Sequence, residues 1–474
     1  MSTPLIVLLG FVAALFCVAL WSRRETQTME GYFLAGKRLP FWVVAFSTNA
    51  TGESGWLLLG LTGMGYAVGA QALWVVVGEV MGVTLAWTLI ARRFKRMSDE
   101  AGALTVPDVL VAHFGDRSHV LRITSVLIIL TMVGAYVTAQ MAAAGKALVG
   151  FTDIDYTSAV LFGGSAIILY TIIGGFKAVS YTDVLQGVLM LCGLILVPIM
   201  AIQHAGGIAA VLQALSTIDT DLLSMTSALD NELSGWILLI SFLAIGLPFL
   251  GVPQLMTRFM AAANDEELKK ARGVSIIVIL LFDLGAVATG MVGRVLFPEL
   301  ADQETVFPML ARTLFTPVIT GLLLVVVISA IMSTVDSLLL LASSAVVRDT
   351  MQQIFASKKT DQSLARIGKG VTLAIGVLGI TFAIEEVRFL FWFILFAWSG
   401  LGAAFGPVVL CMLYDKRTTH AGAVSGMLFG FLLTVVWVLE FKARTYELYE
   451  MIPGFFGGLL LTWLVSRLTQ HKHG

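Results

Sequence analysis

Charged residues are scarce in this chain. They make up 13% of its 474 residues, whereas a soluble protein uses about 25% to cover its surface. Hydrophobic residues make up 58%, and the mean hydropathy is +0.90. This shortage of charge excludes a large soluble core. Apolar runs of about 18 or more residues recur instead, and each is long enough to cross a bilayer as a helix.

Cysteine and net charge are also low. The net charge of −1 gives no reason to expect a nucleic-acid partner. Cys17, Cys192 and Cys411 all lie in apolar runs, which favours buried small hydrophobes over disulfides or metal ligands. No phosphate-binding loop, dinucleotide motif or zinc-spaced Cys/His set occurs. The sequence therefore argues against an ATP-driven pump, a redox enzyme and any organic cofactor.

The apolar runs predict an all-α polytopic membrane protein with about thirteen membrane helices in a lipid bilayer. The predicted spans are residues 4–21, 42–66, 71–91, 118–150, 157–175, 181–203, 235–257, 273–296, 317–346, 368–387, 389–413, 420–439 and 450–467. The first span lacks a basic leader and ends before Arg23 and Arg24, which indicates a retained helix and no cleaved signal peptide. The connections 204–234 and 347–367 are predicted to hold short surface helices.

The basic residues predict the orientation of the chain. About 24 of the 30 lysines and arginines, Arg258 among them, fall on one side if the N-terminus is outside. The opposite loops carry acids, as in "TDID" and "PELADQE". Because cytoplasmic loops are enriched in Lys and Arg, the sequence predicts an outside N-terminus and a cytoplasmic C-terminus.

Two of the spans are interrupted by glycine and proline. The second span carries the polar stretch "ATGESG" at residues 50–55, and the seventh carries "AIGLPFLGVPQ" with Gly246, Pro248, Gly251 and Pro253. A membrane helix breaks only where it is buried in protein or lines a wet cavity. Breaks five spans apart indicate an inverted repeat of five plus five helices, with a binding site between the broken pair. The alternative is that glycine and proline merely kink two packed helices.

The letters G-E-S-G also match the GxSG nucleophile motif of an intramembrane serine protease. Such an enzyme needs a general base, usually histidine, beside Ser54. All six histidines fall in loops, at span ends or in the tail: His113, His119, His204, His420, His471 and His473. The sequence therefore disfavours an enzyme.

Ionisable residues inside the membrane are costly and usually functional. The spans contain Glu53, Glu79, Lys146, Asp183, Asp283 and Asp336. Lys146 and Asp183 lie near span ends, where side chains can snorkel to water, whereas Glu79 and Asp283 are equally well explained as satisfied structural acids.

The ninth span contains "SAIMSTVDSLLLLASS". Ala330, Ser333, Thr334 and Ser337 share one helical face, with Asp336 beside it. Hydroxyls on this stripe and carbonyls from the break at 50–55 would suit a dehydrated cation. A small-residue packing face is the alternative.

These segments resemble the sodium/solute symporter family, and within it the sodium/proline branch. The resemblance is carried by five segments in the expected order: "GYFLAGKRLPFWVVAFSTNATGESGWLLLGL", "YTIIGGFKAVSYTDVLQGVLM", "GVPQLMTRFMAA", "SAIMSTVDSLLLLASSAVVRD" and "FAWSGLGAAFGPVVL". It implies a LeuT-like core in a single transporter domain over 1–474, located in a bacterial-type inner membrane. An extra helix at 4–21 would precede the repeats at 42–203 and 235–413, and two helices at 420–467 would follow.

The resemblance also implies ion sites for one or two Na⁺. The first would use the backbone oxygens of Ala50, Glu53 and Ala330 with the hydroxyls of Ser333 and Thr334. The second cation site of some family members would correspond to Asp183, Ser333, Asp336 and Ser337. Asp336 is a departure, since a hydroxyl or small residue is more usual there. Lys37 matches a basic position that the family uses in coupling.

The implied substrate pocket contains Thr51, Trp56, Tyr136, Ile245 and Phe249. Ile245 and Phe249 stand where the proline carriers usually have Trp and Tyr, and Gly52 replaces an acid of that branch. The predicted function is sodium-driven import of a small amino acid or related zwitterion, such as proline. A proton-coupled importer, a symporter for another small solute, a sensor on a transporter fold and a channel are the alternatives. The sequence does not determine the oligomeric state.

Overall fold

The computed structural model describes residues 2–22, 28–227, 229, 232–385 and 390–470. Arg23, Arg24, His471 and His473 lie outside the described residues. The helices are α1 Thr3–Ser22, α2 Met29–Leu34, α3 Phe41–Gly55, α4 Thr62–Val68, α5 Leu73–Leu85, α6 Ala91–Glu100, α7 Val106–Phe114, α8 Val120–Phe151, α9 Tyr156–His204, α10 Ile208–Ile218, α11 Glu232–Ala244, α12 Pro253–Ala261, α13 Asp265–Leu296, α14 Val306–Leu314, α15 Pro317–Ser344, α16 Asp361–Ala383, α17 Leu390–Tyr414, α18 His420–Val436 and α19 Met451–Thr469.

Within these described ranges, eleven helical stretches are long and apolar enough to cross a membrane. Two of them are too long for one crossing. Phe41–Glu100 has 60 residues and Tyr156–His204 has 49, which at 1.5 Å per residue is about 90 and 74 Å, against a hydrocarbon core of about 30 Å. The first turns at Gly69 and the second at Gly175, where φ is 57° and 62°. Each therefore holds two of the predicted spans, and the total of thirteen stays a prediction.

The first predicted break lies at Ser54. Its φ of 60° and ψ of −171° interrupt α3 just before a π-helical turn, Trp56–Leu61, leads into α4. A positive φ is uncommon outside glycine, so this conformation is held by the surrounding packing. A Cβ at the neighbouring Gly55 would lie 2.8 Å from Ile331, and only glycine lets α15 approach so closely. The break is therefore built into the packing of α3 against α15.

The second predicted break separates α11 from α12. The turn Leu247–Leu250 contains Pro248 and is followed by Gly251, and α12 begins at Pro253. Helix α5 packs tightly here, since a Cβ on Gly246 would lie 1.9 Å from the carbonyl oxygen of Gly78. Both helix interruptions predicted from glycine and proline are therefore present.

A short backbone bridge joins the chain before α3 to the end of α12. Leu39 N donates to the carbonyl of Ala261 at 3.1 Å, and Ala263 N donates to the carbonyl of Leu39 at 3.0 Å. The N–H of Phe41, the first residue of α3, also donates to Glu267 Oε2 of α13 at 2.6 Å. These bonds fix the entry to the first broken helix against the end of the second.

Helix α15 is buried without interruption from Leu323 to Ser344. It packs against α1, α3, α8, α9 and α16. The prediction of three buried cysteines is wrong for two of them: Cys411 is buried, but Cys17 and Cys192 are exposed. An apolar residue on the outer face of a membrane helix meets lipid, so hydropathy alone does not separate outward from inward positions. The predicted surface helix in 204–234 is present as α10.

Candidate functional site

The hydroxyl stripe of α15 faces the backbone just before the break in α3. Ser333 Oγ donates to the carbonyl oxygens of Ala50 at 2.8 Å and Ala330 at 3.0 Å. Thr334 Oγ1 donates to the carbonyl oxygens of Thr51 at 2.9 Å and Ala330 at 3.3 Å. All five residues are fully buried. The arrangement collects neutral oxygen atoms from two helices, which is the donor set that a dehydrated hard cation requires.

Glu53 is the expected ligand that the structure does not bring to α15. Its carbonyl oxygen accepts the N–H of Trp56 across the break, and Thr51 supplies the carbonyl that meets Thr334 instead. The carboxylate of Glu53 turns away towards Glu79 and Asp283. The structure thus gathers Ala50, Ala330, Ser333 and Thr334, the other four members of the expected set.

Two of the four residues expected at a second cation site, Asp183 and Ser337, contact the guanidinium of Arg258. Arg258 Nη2 donates to Asp183 Oδ2 at 3.1 Å and contacts Ser337 Oγ. The same nitrogen lies 2.6 Å from Thr51 Oγ1, and Nε lies 3.0 Å from Ser47 Oγ. Arg258 is 1% exposed and Asp183 is fully buried. The positive charge beside Asp183 is therefore that of the Arg258 side chain.

Two expectations from the sequence are corrected here. Arg258 was counted with the cytoplasmic basic residues, but it lies in α12 and points into the protein core, where Asp183 and several hydroxyls satisfy it. Asp183 was expected to reach water by snorkelling, but it is enclosed and accepts a hydrogen bond from Ser47 Oγ at 2.6 Å. Lys146, the other snorkelling candidate, is paired with Asp302 and Glu304 at 2.6 and 2.5 Å.

Asp336 adds a second buried carboxylate near Arg258. Its Oδ1 accepts from Ser337 Oγ at 3.2 Å, and its Oδ2 has no hydrogen-bond partner in the described part of the chain. If Asp183 and Asp336 are both ionised, they carry two negative charges against the single positive charge of Arg258. One further positive charge is needed to balance this region, because an uncompensated buried charge is very costly.

Two of the expected substrate residues, Tyr136 and Phe249, form an aromatic group with Trp398, and Ile245 contacts the same side chain. The Phe249 ring meets the Trp398 ring edge-on at a centroid distance of 5.2 Å, and the Tyr136 ring does so at 6.4 Å. Trp398 Nε1 donates to the carbonyl of Ile245 at 3.4 Å. Trp56, beside the break, is as deeply buried as these residues, at 3% exposure. Thr51 differs, since its hydroxyl lies with Arg258 in the polar network.

Gly52 lies directly against the ring of Phe249. A Cβ on Gly52 would lie 3.0 Å from Cε1 of Phe249, so a larger side chain would have to displace the ring. An acid at position 52 is therefore incompatible with this placement of Phe249.

Lys37 lies outside the ion network. Its Nζ is 3.0 Å from Asp99 Oδ1, and Lys95 pairs with the same carboxylate at 2.9 Å. Lys37 also contacts the carbonyl oxygen and the hydroxyl of Ser98 at 3.4 Å. It thus ties the chain before α3 to the end of α6, next to the Leu39 bridge.

The structure gives no support to Ser54 as a nucleophile. Its Oγ accepts the N–H of Trp56 at 3.2 Å. Of the histidines in the described ranges, His113 and His204 lie in the last turns of α7 and α9, His119 caps α8, and His420 begins α18. Among the described residues, no imidazole is available to Ser54 at mid-membrane.

Three site residues were missed by the sequence reasoning. Arg258 lies in "MTRFMAA", and its apolar neighbours signal burial. Trp398 lies in "FAWSGLGAAFG", a quoted segment from which no residue was singled out. Gln140 accepts the N–H of Gly55 at 3.0 Å and is fully buried. A polar residue in the middle of a long apolar helix is a signal that could have identified it.

The sequence is similar to those of known membrane transporters. Residues 32–430 match the family model of the sodium:solute symporter family. The chain is 35% identical to the high-affinity proline transporter PutP of Bacillus subtilis (strain 168), over 96% of this chain and 95% of that protein. It is 33% identical to the osmoregulated proline transporter OpuE of the same organism, over 99% and 96%. It is 34% identical to the sodium/proline symporter of Escherichia coli (strain K12), over 96% and 91%.

Solved structures show the same fold. A Na⁺-coupled sialic acid symporter in a substrate-bound outward-open state superposes with a TM-score of 0.82 at 20% identity, covering 99% of this chain and 98% of that one. MhsT in complex with L-phenylalanine superposes with a TM-score of 0.55 at 13% identity, covering 90% and 97%. The fold is thus that of the LeuT-like transporters.

Proposed function

The chain belongs to the sodium:solute symporter family, and we propose that it is a sodium-coupled symporter that imports proline or a closely related zwitterion. The observation that supports this most directly is the contact between the α15 hydroxyls of Ser333 and Thr334 and the α3 carbonyls of Ala50 and Thr51. Hydroxyl and carbonyl oxygens from two separate helices are brought together where neither helix alone could bind an ion.

Sodium would bind by inserting between these oxygens. The hydroxyls of Ser333 and Thr334 now donate to carbonyls, and rotating about their C–O bonds would turn lone pairs towards an ion. The bound ion would replace two direct hydrogen bonds with stronger ion–oxygen contacts and would fix α3 against α15. Since Trp56 follows the break in α3, ion binding would also order the substrate residues. Ion and substrate then favour each other reciprocally.

The proposed stoichiometry is one sodium ion per cycle. Arg258 occupies the position of a second cation and contributes its charge permanently. If Asp183 and Asp336 are both ionised, they leave one negative charge beside Arg258, and one sodium ion balances it. Asp336 is three residues from Ser333 and therefore adjacent on the helix surface, so its charge would attract the ion.

The aromatic group supports a ligand with an ammonium centre. Cations are attracted to the faces of Trp and Tyr rings within about 6 Å, and Trp56, Tyr136, Phe249 and Trp398 supply several rings. The carboxylate of an amino acid would lie towards the N-terminal end of the helical segment that begins at Trp56, since broken helices direct their positive dipole ends at anionic groups. A pyrrolidinium carboxylate such as proline satisfies both ends.

We also propose how the chain is oriented in the membrane and where the transporter opens to release its solutes. The N-terminus is outside, the C-terminus is cytoplasmic, and residues 42–203 and 235–413 form the two repeats. The bridge between Leu39 and the end of α12 would then lie on the cytoplasmic side and must open to release sodium and solute. Arg258 and Ser337 border a cavity of about 20 Å³ that Phe33 and Thr105 also line, and this cavity would have to widen for that release.

Uptake by the purified full-length protein in proteoliposomes tests the proposal. Labelled proline should accumulate under an inward sodium gradient and not under an equal potassium or proton gradient. Unlabelled betaines and other amino acids, added as competitors, define the substrate class. Accumulation that ignores sodium but collapses with a protonophore would contradict sodium coupling. Competition by an unrelated solute, with none by proline, would contradict the substrate.

A further inference from the structure

Three carboxylates meet inside the helix bundle behind the first break. Glu53 lies on α3, Glu79 on α5 and Asp283 on α13, and they are 1%, 3% and 0% exposed. One carboxylate oxygen from each residue lies within 4.8 Å of those of the other two. These residues are 26 to 230 positions apart in the sequence, so only the packing of α3, α5 and α13 brings them together.

The carboxylates lack partners that would satisfy their charge. Both oxygens of Glu53, both of Asp283 and Oε2 of Glu79 have no hydrogen-bond partner outside the cluster among the described residues; within it, a protonated Glu79 can hydrogen-bond to Glu53 and Asp283. Arg258, a buried basic side chain of α12, is paired with Asp183 and not with these acids. A buried polar group without a partner costs about 1–3 kcal/mol, and a charged one costs more. Three neighbouring carboxylate oxygens, one from each residue, therefore favour a positively charged ligand.

We propose that Glu53, Glu79 and Asp283 form a binding site for a divalent cation of the size of calcium. Carboxylates are hard oxygen ligands, and Ca²⁺ binds oxygen at about 2.3–2.6 Å, so two ligands on opposite sides are about 4.8 Å apart. Three oxygens within that separation can all reach one ion. Mg²⁺, at about 2.0–2.1 Å, requires a tighter set. A divalent ion offsets two of three negative charges, whereas a monovalent ion offsets one.

This site is distinct from the proposed sodium site. The sodium site uses neutral hydroxyl and carbonyl oxygens between α3 and α15, whereas the three acids lie between α3, α5 and α13. Glu53 belongs to the acid cluster through its carboxylate, whereas its carbonyl oxygen accepts the N–H of Trp56 and does not join the sodium site.

A bound cation would connect both broken helices. Glu53 immediately precedes the break at Ser54 in α3. Glu79 follows Gly78, and a Cβ on Gly246 in the second break would lie 3.0 Å from the Cα of Glu79. The ion would hold α3 to α5 and α13, and α5 already packs on the second break. Cation binding should therefore stabilise the unit formed by the two broken helices.

Equilibrium binding of radioactive Ca²⁺ to the purified full-length protein tests this site. The protein is treated with chelator and measured without sodium or proline, so the result does not depend on transport. We expect about one Ca²⁺ per chain and a higher melting temperature with Ca²⁺. Glu79→Gln and Asp283→Asn should each weaken binding by about tenfold or more. Asp153→Asn, which removes an exposed carboxylate, should bind as the native protein does.

If a variant fails to fold, terbium luminescence of the native protein tests the same site. Tb³⁺ bound at the three acids should emit when tryptophan is excited, because Trp56 lies close by in the chain, and Ca²⁺ should quench that emission by displacement. No Ca²⁺ binding and no emission would overturn the proposal. Binding that is equal in Glu79→Gln, Asp283→Asn and native protein would also overturn it. A melting temperature that rises at low pH but does not respond to Ca²⁺ would show that the site binds protons. That result would overturn the proposal of a metal site.

Discussion

Replacement of Arg258 by methionine tests the claim that the protein supplies its own second cation. Methionine keeps much of the side-chain volume and removes the charge, which leaves Asp183 buried with hydroxyl partners but without a positive charge beside it. Breaking a buried ion pair from one side costs about 3–5 kcal/mol, and we expect that loss in choline medium. Two measurements apply: unfolding of the purified protein in mixed micelles, and sodium activation of proline uptake in proteoliposomes.

Sodium should restore much of the stability that Arg258→Met loses. With Arg258 absent, a sodium ion can bind among Asp183, Ser337 and Thr51. An ion that binds only the folded state adds about 2.7 kcal/mol of stability at 100 times its dissociation constant, which recovers more than half of the expected loss. The Hill coefficient for sodium should rise from about 1 towards 2, because uptake then requires an ion at both sites.

Two variants serve as controls for this prediction. Lys95→Met also removes a buried cation, one that pairs with Asp99 away from the site, so its loss of stability should not depend on sodium. Asp183→Asn combined with Arg258→Met removes both charges and should be more stable than Arg258→Met alone. Equal destabilisation of Arg258→Met in sodium and choline, with an unchanged Hill coefficient, would refute the reasoning.

Three further substitutions test the remaining parts of the site. Ser333→Ala and Thr334→Ala each remove one oxygen ligand worth about 1.5 kcal/mol, so the sodium concentration for half-maximal uptake should rise about tenfold with little change in maximal rate; unaltered sodium dependence in both variants would show that the site is misplaced. Asp336→Ser restores the commoner family residue and should keep transport while weakening sodium activation; loss of folding instead would assign this acid a structural role. Trp398→Ala removes ring contacts worth about 0.5–1.5 kcal/mol each and should raise the KM for proline about two- to tenfold without changing the sodium requirement, which competition uptake measures; a shift confined to sodium would place Trp398 outside the substrate pocket.

The position of Glu53 clarifies the polar stretch in α3. The stretch carries an acid in a membrane helix, and its backbone was the part expected to bind the ion. The structure separates two roles on one segment: carbonyls at Ala50 and Thr51 face α15, and the carboxylate of Glu53 faces Glu79 and Asp283. A break in a helix makes this division feasible, because it frees carbonyls on one face while the side chains before it remain directed by the helix.

The sequence by itself determined the features that depend on local order. Apolar runs predict spans because each must satisfy its backbone within one helix. Glycine and proline predicted both interruptions, and helical spacing placed Ser333, Thr334 and Ser337 on one face. The resemblance to a known family added that this face meets Ala50, a pairing across 283 residues that no periodicity could supply.

Tertiary structure decided which distant residues share an environment. Arg258 was assigned to a loop from its place beside a predicted span end, yet the start of α12 at Pro253 turns its side chain towards Asp183. Trp398 joins the aromatic group, and Glu79 and Asp283 join Glu53, only because their helices are neighbours. The physical reason is that hydropathy and periodicity describe one helix at a time, whereas a charge is satisfied by what lies across from it, and that is fixed by how helices pack.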